Sequence, residues 1–373
     1  MELQEYRFDE ISNNYDKKRV PLSSAQRAKR KGNYCYYGAQ GVIDYIDDYI
    51  FDGMFVLIAE DGENLKSKKQ NIARVVNGQF WVNNHAHIVT GNDLCDTRYL
   101  CYLINSMDLS GYVTGSAQPK LSQANLNAVT LTLPPIEVQK KIVDYLNKID
   151  EKIELNTRIN KNLLQQLHIL YSRLFCDSAM DTPLGNVVAT TSGGTPSRKH
   201  DEYYSDSSIC WVKSKELLGN YIHETEEHIN DLAVQKSSAK LLPKHSVLIA
   251  MYGATVGAYG IISKPMTCNQ AVCALLCNEN YPYTYLFQIA YESQSKFINL
   301  AVGSAQQNIS QVLIKQINLH SNLDIIQKFH DLALPMHQKI ESLQAENMHL
   351  STLRDNLLPK LMFGELDVSG INF

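Results

Sequence analysis

The chain has 373 residues, 44% of them hydrophobic and 20% charged, with a formal net charge of −4. These values describe an ordinary globular protein of about two or three domains, and they exclude a uniformly basic nucleic-acid binder. No apolar run approaches the roughly 18 residues of a membrane span, and the first residues lack the order of a secretory signal. The eight cysteines are too few for a disulfide framework, so we expect a cytoplasmic protein with reduced thiols.

Charge is unevenly distributed near the start of the chain. Residues 17–31 include seven basic residues and no acid, and residues 66–74 include four basic residues and no acid. An acidic stretch, residues 44–52, lies between them. This segregation fits a basic face turned toward phosphate. An ordinary solvated charged surface is the alternative that the pattern leaves open.

The pattern of residues 1–133 predicts a mixed module that recurs at residues 182–320. Apolar runs at 54–59, 246–250 and 271–276 predict buried strands, and the alternation at 129–133 predicts a half-buried one. Three sequence matches recur in the same order at offsets of 186 to 191 residues. They are Val56-Leu57-Ile58-Ala59 with Val247-Leu248-Ile249-Ala250, Tyr99-Leu100 with Tyr285-Leu286, and Gly115-Ser116-Ala117-Gln118…Ser122-Gln123 with Gly303-Ser304-Ala305-Gln306…Ser310-Gln311. An internal repeat of this kind determines the architecture.

A long heptad-patterned helix follows each copy. Alternating steps of four and three residues mark one seam, and adding 187 gives the other. The first seam is Ile142, Leu146, Ile149, Ile153, Asn156, Asn160, Leu163, Leu167, Leu170 and Leu174; the second is Phe329, Ala333, Met336, Ile340, Leu343, Asn347, Leu350, Arg354, Leu357 and Leu361. We expect Asn160 and Asn347 to meet, with Asn156, near the middle and to fix the register. The alternative is that these asparagines face solvent.

These patterns predict an α+β protein of two globular domains in tandem repeat, each followed by a long helix. The helices should pair as an antiparallel coiled coil with pseudo-two-fold symmetry, and a helix of some forty residues would separate the two domains by about 60 Å. The predicted segments are residues 1–133 for the first domain, 134–177 for the central helix, 178–320 for the second domain, 321–366 for the distal helix and 367–373 for a tail.

Catalytic motifs are absent from the sequence. There is no Walker A loop, no G-x-G-x-x-G and no Glu-x-Lys, and the one Pro-Pro pair lacks the acid or amide before it that an amino-methyltransferase needs. His223 and His228 lie five residues apart and cannot share a zinc ion on one helix face. Cys268, Cys273 and Cys277 lie among apolar residues, which favours buried strand thiols. We therefore predict a chain that is not an enzyme and has no metal site or cofactor of its own.

Several segments resemble the specificity subunits of type I restriction–modification systems, and they cover nearly the whole chain in order. They are Tyr36–Tyr45, Tyr49–Gly53, Leu57–Gly62, Leu133–Ile142, Gly193–Ser197, Trp211–Lys213 and Leu358–Leu366. The resemblance implies two target recognition domains, each of which reads one half of a split, asymmetric double-stranded DNA site. It also implies that the helices dock two methyltransferase subunits and that restriction subunits complete the nuclease. S-adenosylmethionine and ATP would belong to those partners.

Two rival functions remain open, a stand-alone DNA-binding regulator and a coiled-coil scaffold that binds no nucleic acid. A further departure from the family is the start of the second helix, Ser321-Asn322-Leu323-Asp324, which lacks the Pro-Pro-Ile-Glu form of the first. Docking of the second methyltransferase is therefore less strongly implied than docking of the first.

The candidate DNA contacts combine basic side chains for phosphate with polar side chains for base edges. Gln40 is the base-reading candidate of the first domain, and the Gly193-Gly194 turn is expected to let the backbone approach a phosphate closely. In the first domain the candidates are Lys29, Arg30, Lys31, Gln40, Lys66, Lys68, Lys69 and Arg74. In the second domain they are Thr195, Ser197, Arg198, Lys199, Lys213, Lys215 and Tyr252.

Overall fold

The structure, a computed structural model, describes residues 3–67, 70–115, 118–302 and 308–366. The predicted tail, 367–373, lies outside these residues, as do Lys68 and Lys69. The chain divides into a first unit, Met1–Lys152 with Leu350–Phe373, and a second unit, Ile153–His349. Each unit contains one α+β domain and a part of both long helices, which confirms the predicted fold class. No helix within the described ranges is both long and apolar enough to cross a lipid bilayer.

The domain of the first unit is built around a six-stranded sheet with the order β2-β7-β5-β6-β3-β4. Neighbouring strands are antiparallel except β3 and β6, and β1 pairs separately with β8. The strands are Gln4–Arg7 (β1), Ser12–Asn14 (β2), Lys31–Gly38 (β3), Gly41–Ile46 (β4), Phe51–Ala59 (β5), Ala73–Val82 (β6), Ala86–Gly91 (β7) and Thr130–Leu133 (β8). The helices are Phe8–Ile11 (α1), Ser24–Ala28 (α2), Asn64–Ser67 (α3), Thr97–Ser106 (α4), Gln123–Asn127 (α5) and the long Ile136–Leu174 (α6).

The domain of the second unit divides its strands between a five-stranded sheet, β10-β17-β14-β15-β12, and a three-stranded sheet, β13-β11-β16. The strand β18 pairs with β9. The strands are Met180–Pro183 (β9), Ala189–Ser192 (β10), Ile209–Val212 (β11), Tyr221–Ile222 (β12), His228–Ile229 (β13), Val247–Ala250 (β14), Tyr259–Ile262 (β15), Thr267–Cys268 (β16), Val272–Leu276 (β17) and Asn318–His320 (β18). The helices are Leu184–Val187 (α7), Asp231–Lys236 (α8), Tyr283–Val302 (α9), Gln311–Lys315 (α10) and the long Leu323–Met362 (α11).

The internal repeat in the sequence corresponds to equivalent elements of the two domains. The matching apolar runs form the central strands β5 and β14, which are paired on both sides. The matching Tyr-Leu pairs are buried at the starts of α4 and α9. Ser122 and Ser310 are the N-caps of α5 and α10, and each hydroxyl accepts a backbone N–H at 3.2 Å. The remainder of this last match, 116–117 and 303–307, lies outside the described residues.

The long helices pair in antiparallel fashion inside each unit. In the first unit Ile142 and Leu146 of α6 share a core with Leu361 of α11, and Arg354 forms an ion pair with Asp150 at 2.8 Å. In the second unit, Leu167 and Tyr171 of α6 share a core with Phe329 and Ile340 of α11. The same core contains Phe175, which follows α6, and Ile326 and Ala333 of α11. Every predicted seam position is buried or half-buried, so the heptad pattern is confirmed.

Local contacts fix the starts of the two long helices. The side-chain amide of Gln139 is fully buried. Its Nε2 donates to the carbonyls of Leu94 and Pro134, and its Oε1 accepts the N–H of Asp96. This amide fixes the first turn of α6 to the first domain. The side chain of Asn322 caps α11 by accepting the N–H of Ile325 at 3.2 Å.

Two of the three seam asparagines that were expected to meet, Asn156 and Asn347, form a hydrogen bond. Asn347 accepts a hydrogen bond from the Nδ2 of Asn156 at 2.9 Å and donates to the carbonyl of Ile153 at 3.3 Å. Asn160 was expected to meet Asn347, but its buried Oδ1 has no hydrogen-bond partner among the described residues. The partner of Asn347 therefore lies four residues, about one helical turn, before the repeat-equivalent position.

Replacing Asn347 with alanine is expected to lower the free energy of unfolding of the second unit by about 1 kcal/mol, because Asn156 loses one buried partner but keeps its bond to Glu346. Urea unfolding in a Trp81→Phe background, followed by the fluorescence of Trp211, measures this loss. The matched control is Asn160→Ala, which removes an oxygen without a partner and should cost less. An equal loss in both variants would show that Asn347 contributes nothing through its pairing.

Candidate nucleic-acid interface

One group of predicted contacts lies at the turn between β3 and β4. The guanidinium of Arg74 donates to the carbonyl of Gln40 at 2.7 Å, which fixes this turn and leaves the Gln40 side chain exposed. Lys66 donates to the carbonyl of Gly115 at 2.9 Å. Gly41 has a φ of +136°, and a Cβ there would lie 2.7 Å from the Arg74 guanidinium. The structure thus brings Gln40 and Arg74 into direct contact.

A second group lies at the other end of the same hairpin, about 20 Å away at 3.3 Å per residue. Arg30 pairs with Asp47 at 2.9 Å, and its guanidinium carbon lies 5.0 Å from the centre of the Trp81 ring. Lys31 pairs with Asp44 at 2.6 Å. Lys29 is exposed at the end of α2. Gln40 and Arg74 therefore lie at one end of the hairpin, and Arg30 and Lys31 lie at the other.

These pairs show where part of the segregated charge lies in the folded domain. The acidic stretch is distant from the basic run in sequence, but β4 folds it back onto that run, so Asp44 also accepts from Arg27 at 3.1 Å. The hydrogen bond from Lys31 is the main reason that the pKa of Asp44 is lowered to about 2. Part of the charge segregation in the sequence is thus neutralised in the folded domain. Carboxylates hold Arg27, Arg30 and Lys31, whereas Arg74 and Lys66 donate to backbone carbonyls.

A buried ionic cluster, which the sequence patterns did not indicate, stabilises the inner side of this domain. Asp16 and His87 are almost fully buried, and Nδ1 of His87 lies 2.6 Å from Oδ2 of Asp16. Nε2 of His87 contacts the carbonyl of Leu121 at 2.8 Å. Arg19 joins the cluster through Asp16 at 3.4 Å and Glu60 at 2.7 Å. The cluster connects four separate segments of the first domain.

The predicted contacts of the second domain are closer to one another. Arg198 and Lys213 both pair with Glu227, and Lys215 pairs with Glu226 at 2.5 Å. The Arg198 guanidinium also stacks 4.3 Å above the ring of Tyr204 and 5.4 Å from that of Trp211; the side chain remains 56% exposed. A guanidinium held in this way by a carboxylate and two rings loses little entropy when its free N–H groups bind phosphate or a guanine edge.

The remaining candidates of this domain lie in loops at one edge of the five-stranded sheet. The loop with Thr195, Ser197 and Lys199 follows β10, and Tyr252 follows β14; β17 lies between these two strands. All four side chains are exposed. Two strand spacings, about 10 Å, therefore separate Tyr252 from the Thr195 loop.

The two glycines before Thr195 are explained by packing within the protein. A Cβ on Gly193 would lie 2.0 Å from the carbonyl oxygen of Cys268, and one on Gly194 would lie 2.3 Å from the backbone of Ser238. Other backbone occupies the space that a side chain would need, which explains both glycines, and the approach of this turn to a phosphate stays a prediction. The indole of Trp211 donates to the Gly194 carbonyl at 3.0 Å and holds this turn in place.

Comparison with known proteins identifies the family. The family model for the type I restriction modification DNA specificity domain matches twice, at residues 2–165 and 179–321. A putative type I restriction enzyme specificity subunit of Haemophilus influenzae is 36% identical over 142 residues, which are 38% of this chain and 36% of that protein. The MjaIX specificity subunit of Methanocaldococcus jannaschii is 26% identical over 309 residues, covering 73% of this chain and 69% of that one.

A solved structure shares the fold. The S subunit of a type I restriction-modification system from M. genitalium superposes with a TM-score of 0.64 at 13% identity, covering 99% of this chain and 97% of that one. The two matches of the family model cover most of the chain, one in each α+β domain. The chain therefore belongs to the family of type I restriction–modification DNA specificity subunits, as its sequence resemblance indicated.

Proposed function

We propose that the chain reads a bipartite, asymmetric double-stranded DNA site, one half with each domain, and carries this specificity into a cytoplasmic DNA adenine methyltransferase and endonuclease complex. Specificity subunits are non-catalytic components of such complexes. Two methyltransferase subunits would dock on α6 and α11, and restriction subunits would complete the nuclease. S-adenosylmethionine and ATP would bind to those partners. The segment boundaries predicted from the sequence, 1–133, 134–177, 178–320 and 321–366, serve as the proposed domains and helices.

The cation cluster around Glu226 and Glu227 is the observation that carries this proposal. Arg198, Lys213 and Lys215 are oriented by these carboxylates in the domain that also presents the Thr195 loop. Their side chains are 56%, 21% and 55% exposed, so a nucleic acid can reach at least the outer two. In the first domain, Arg30 is likewise held by a carboxylate and an indole. Both domains thus present oriented cations in different surroundings, which supports two different half-sites.

Replacing Arg198 with alanine is expected to weaken DNA binding by the methyltransferase complex. If the guanidinium contacts phosphate, affinity falls for all sequences and the slope of log K against log salt becomes shallower by about 1. If it reads a base, specific affinity falls by about 1–3 kcal/mol and discrimination relaxes at one position. Fluorescence anisotropy with cognate and random duplexes at several salt concentrations distinguishes these results.

The control is Lys296→Ala, which removes an exposed cation from α9 in the same unit. This variant should retain the parent's affinity and salt slope. Unchanged affinity, slope and discrimination in Arg198→Ala would remove Arg198 from the interface. A complex that shows no salt-dependent binding to either duplex would instead favour the scaffold function.

A further inference from the structure

Three side chains with different metal-binding atoms converge in the second domain. Cys210 and His228 are register partners on the antiparallel strands β11 and β13, so their side chains share one face. Glu224 reaches this face from the connection that follows β12; its Oε1 lies 2.9 Å from the Sγ of Cys210 and 2.5 Å from the Nε2 of His228. The three ligand atoms all lie within 4.8 Å of one another.

The three groups differ in exposure in a way that suits an ion entering from solvent. Cys210 is only 1% exposed, whereas the side chains of Glu224 and His228 are 48% and 28% exposed. A small cation can thus approach from the side of the carboxylate and the imidazole, and the thiol forms the inner wall of the site. The strand pairing fixes the positions of the two deeper ligands before any ion binds.

We propose that Cys210, Glu224 and His228 bind a zinc ion, with water as the fourth ligand. Thiolate, imidazole and carboxylate are the donors that zinc accepts in tetrahedral sites, and the sulfur disfavours magnesium and calcium. Zinc bond lengths set such donors about 3.4–3.6 Å apart at tetrahedral angles. Glu224 therefore has to withdraw by about 1 Å from its present hydrogen-bond distances, which its half-exposed side chain allows.

Charge balance favours this exchange. The Oε1 of Glu224 now accepts hydrogen bonds from the thiol of Cys210 and the imidazole of His228. Zinc replaces these two donors: the thiol proton passes to solvent, and His228 binds zinc through Nε2 as a neutral imidazole that keeps its proton on Nδ1. One thiolate and one carboxylate then neutralise the divalent ion. Lys264 lies 3.1 Å from the other oxygen of Glu224 and can continue to orient the carboxylate.

The site would stabilise the segment that holds the candidate DNA contacts. Glu224 and His228 are the two ends of this short segment, and Glu226 and Glu227 lie between them. Those two carboxylates hold Lys215, Lys213 and Arg198. An ion bound at both ends would fix the carboxylates between them. This inference does not depend on the proposed DNA function, because metal binding is measured on the chain alone.

The sequence argument against a zinc site shared by His223 and His228 assumed that both lie on one helix, and no such helix forms there. Residues 223–228 run from the end of β12 to β13, so helical spacing does not govern which of them meet. His223 does not belong to the donor group, and Cys210, the third donor, comes from an earlier strand.

Cobalt titration of the chelator-treated full-length chain tests the site. We expect one cobalt ion per chain, with a thiolate-to-cobalt charge-transfer band that zinc abolishes by competition. The Cys210→Ser variant should lose this band, and His228→Gln should bind at least about tenfold more weakly. The matched control is Cys268→Ser, which removes another buried thiol of the same domain and should retain the band.

Circular dichroism shows whether each variant is folded. His228→Gln changes a partly exposed residue, so this variant provides a second test if Cys210→Ser does not fold. The proposal is overturned if the folded parent takes up no stoichiometric cobalt. It is equally overturned if the charge-transfer band survives Cys210→Ser, or if His228→Gln binds cobalt as tightly as the parent.

Discussion

Replacing Asp16 with alanine is expected to lower the free energy of unfolding of the first unit by about 3–5 kcal/mol. The side chains of Asp16 and His87 are 4% and 1% exposed, and their atoms lie 2.6 Å apart. Asp16 also accepts the backbone N–H of Ile88 at 2.8 Å. The variant would leave the imidazole of His87 and the N–H of Ile88 buried without this partner. The desolvation of an unpaired polar or charged group makes such a loss large.

The two tryptophans make this loss measurable for one unit at a time. Trp81 is buried in the first unit and Trp211 in the second, and the chain contains no other tryptophan. In a Trp211→Phe background, the fluorescence of Trp81 during urea unfolding reports the first unit. The difference between this background and the same background with Asp16→Ala gives the loss.

The matched control is Asp47→Ala, another aspartate of the first unit that pairs with an arginine. The Asp47 side chain is 49% exposed and that of its partner Arg30 is 31% exposed. Water and salt screen such a pair, so its removal should cost less than about 1 kcal/mol. Equal losses in Asp16→Ala and Asp47→Ala would show that the buried cluster is not a major source of stability.

The parts of the fold that follow from local pattern were predictable from the sequence. The seam of α6 and α11 and the buried strands β5, β14 and β17 depend on which side chains are apolar and at what spacing. Burial of one face imposes that spacing on each element separately. The repeat added the equivalence of the two domains, since matched residues occupy matched elements.

Contacts between distant segments were not predictable in the same way. Asp16 and His87 are 71 residues apart, and neither belongs to a motif. The pairing of Arg30 with Asp47 requires the β3–β4 hairpin, whose register is irregular at two places. A single sequence gives the charges but not the strand register that brings them together. The candidate DNA contacts therefore remain predictions, although the structure shows which of them share a carboxylate.

The partner of Asn347 shows the same limit on a smaller scale. Heptad spacing identified both seams, but it does not fix how far one helix is shifted along the other. Symmetry of the repeat suggested that Asn160 meets Asn347 together with Asn156, and the structure shows the hydrogen bond with Asn156. Shifting one helix by a whole heptad still places seam residues opposite seam residues, so apolar spacing alone does not select a single alignment.

Lowering the pH from 7 to 5 is expected to destabilise the second unit by about 2 kcal/mol through His337 alone. His337 is 1% exposed on α11, and its Nδ1 lies 3.0 Å from the hydroxyl of Tyr221. Burial, together with the nearby His245 and His330, lowers the pKa of His337 to about 3. The folded unit therefore keeps this imidazole neutral throughout that pH range.

The sign follows from proton binding by the two states. In the unfolded chain a histidine titrates near its ordinary pKa of about 6.5. Between about 6.5 and 3 the unfolded state thus binds a proton that the folded state excludes, and stability falls as the pH falls. Burial also lowers the pKa of His245 and His330 in this unit, so they add to the same trend.

Urea unfolding at pH 7 and pH 5 in a Trp81→Phe background, followed by Trp211 fluorescence, isolates this contribution. The His337→Gln variant keeps an amide near Tyr221 but cannot titrate, so it should lose about 2 kcal/mol less than its parent between the two pH values. The matched control is His349→Gln, which changes an exposed histidine of the same helix and should keep the parent's pH dependence. If His337→Gln and its parent lose equal stability on acidification, His337 takes up its proton in the folded state, and the neutral buried imidazole inferred from its contacts is wrong.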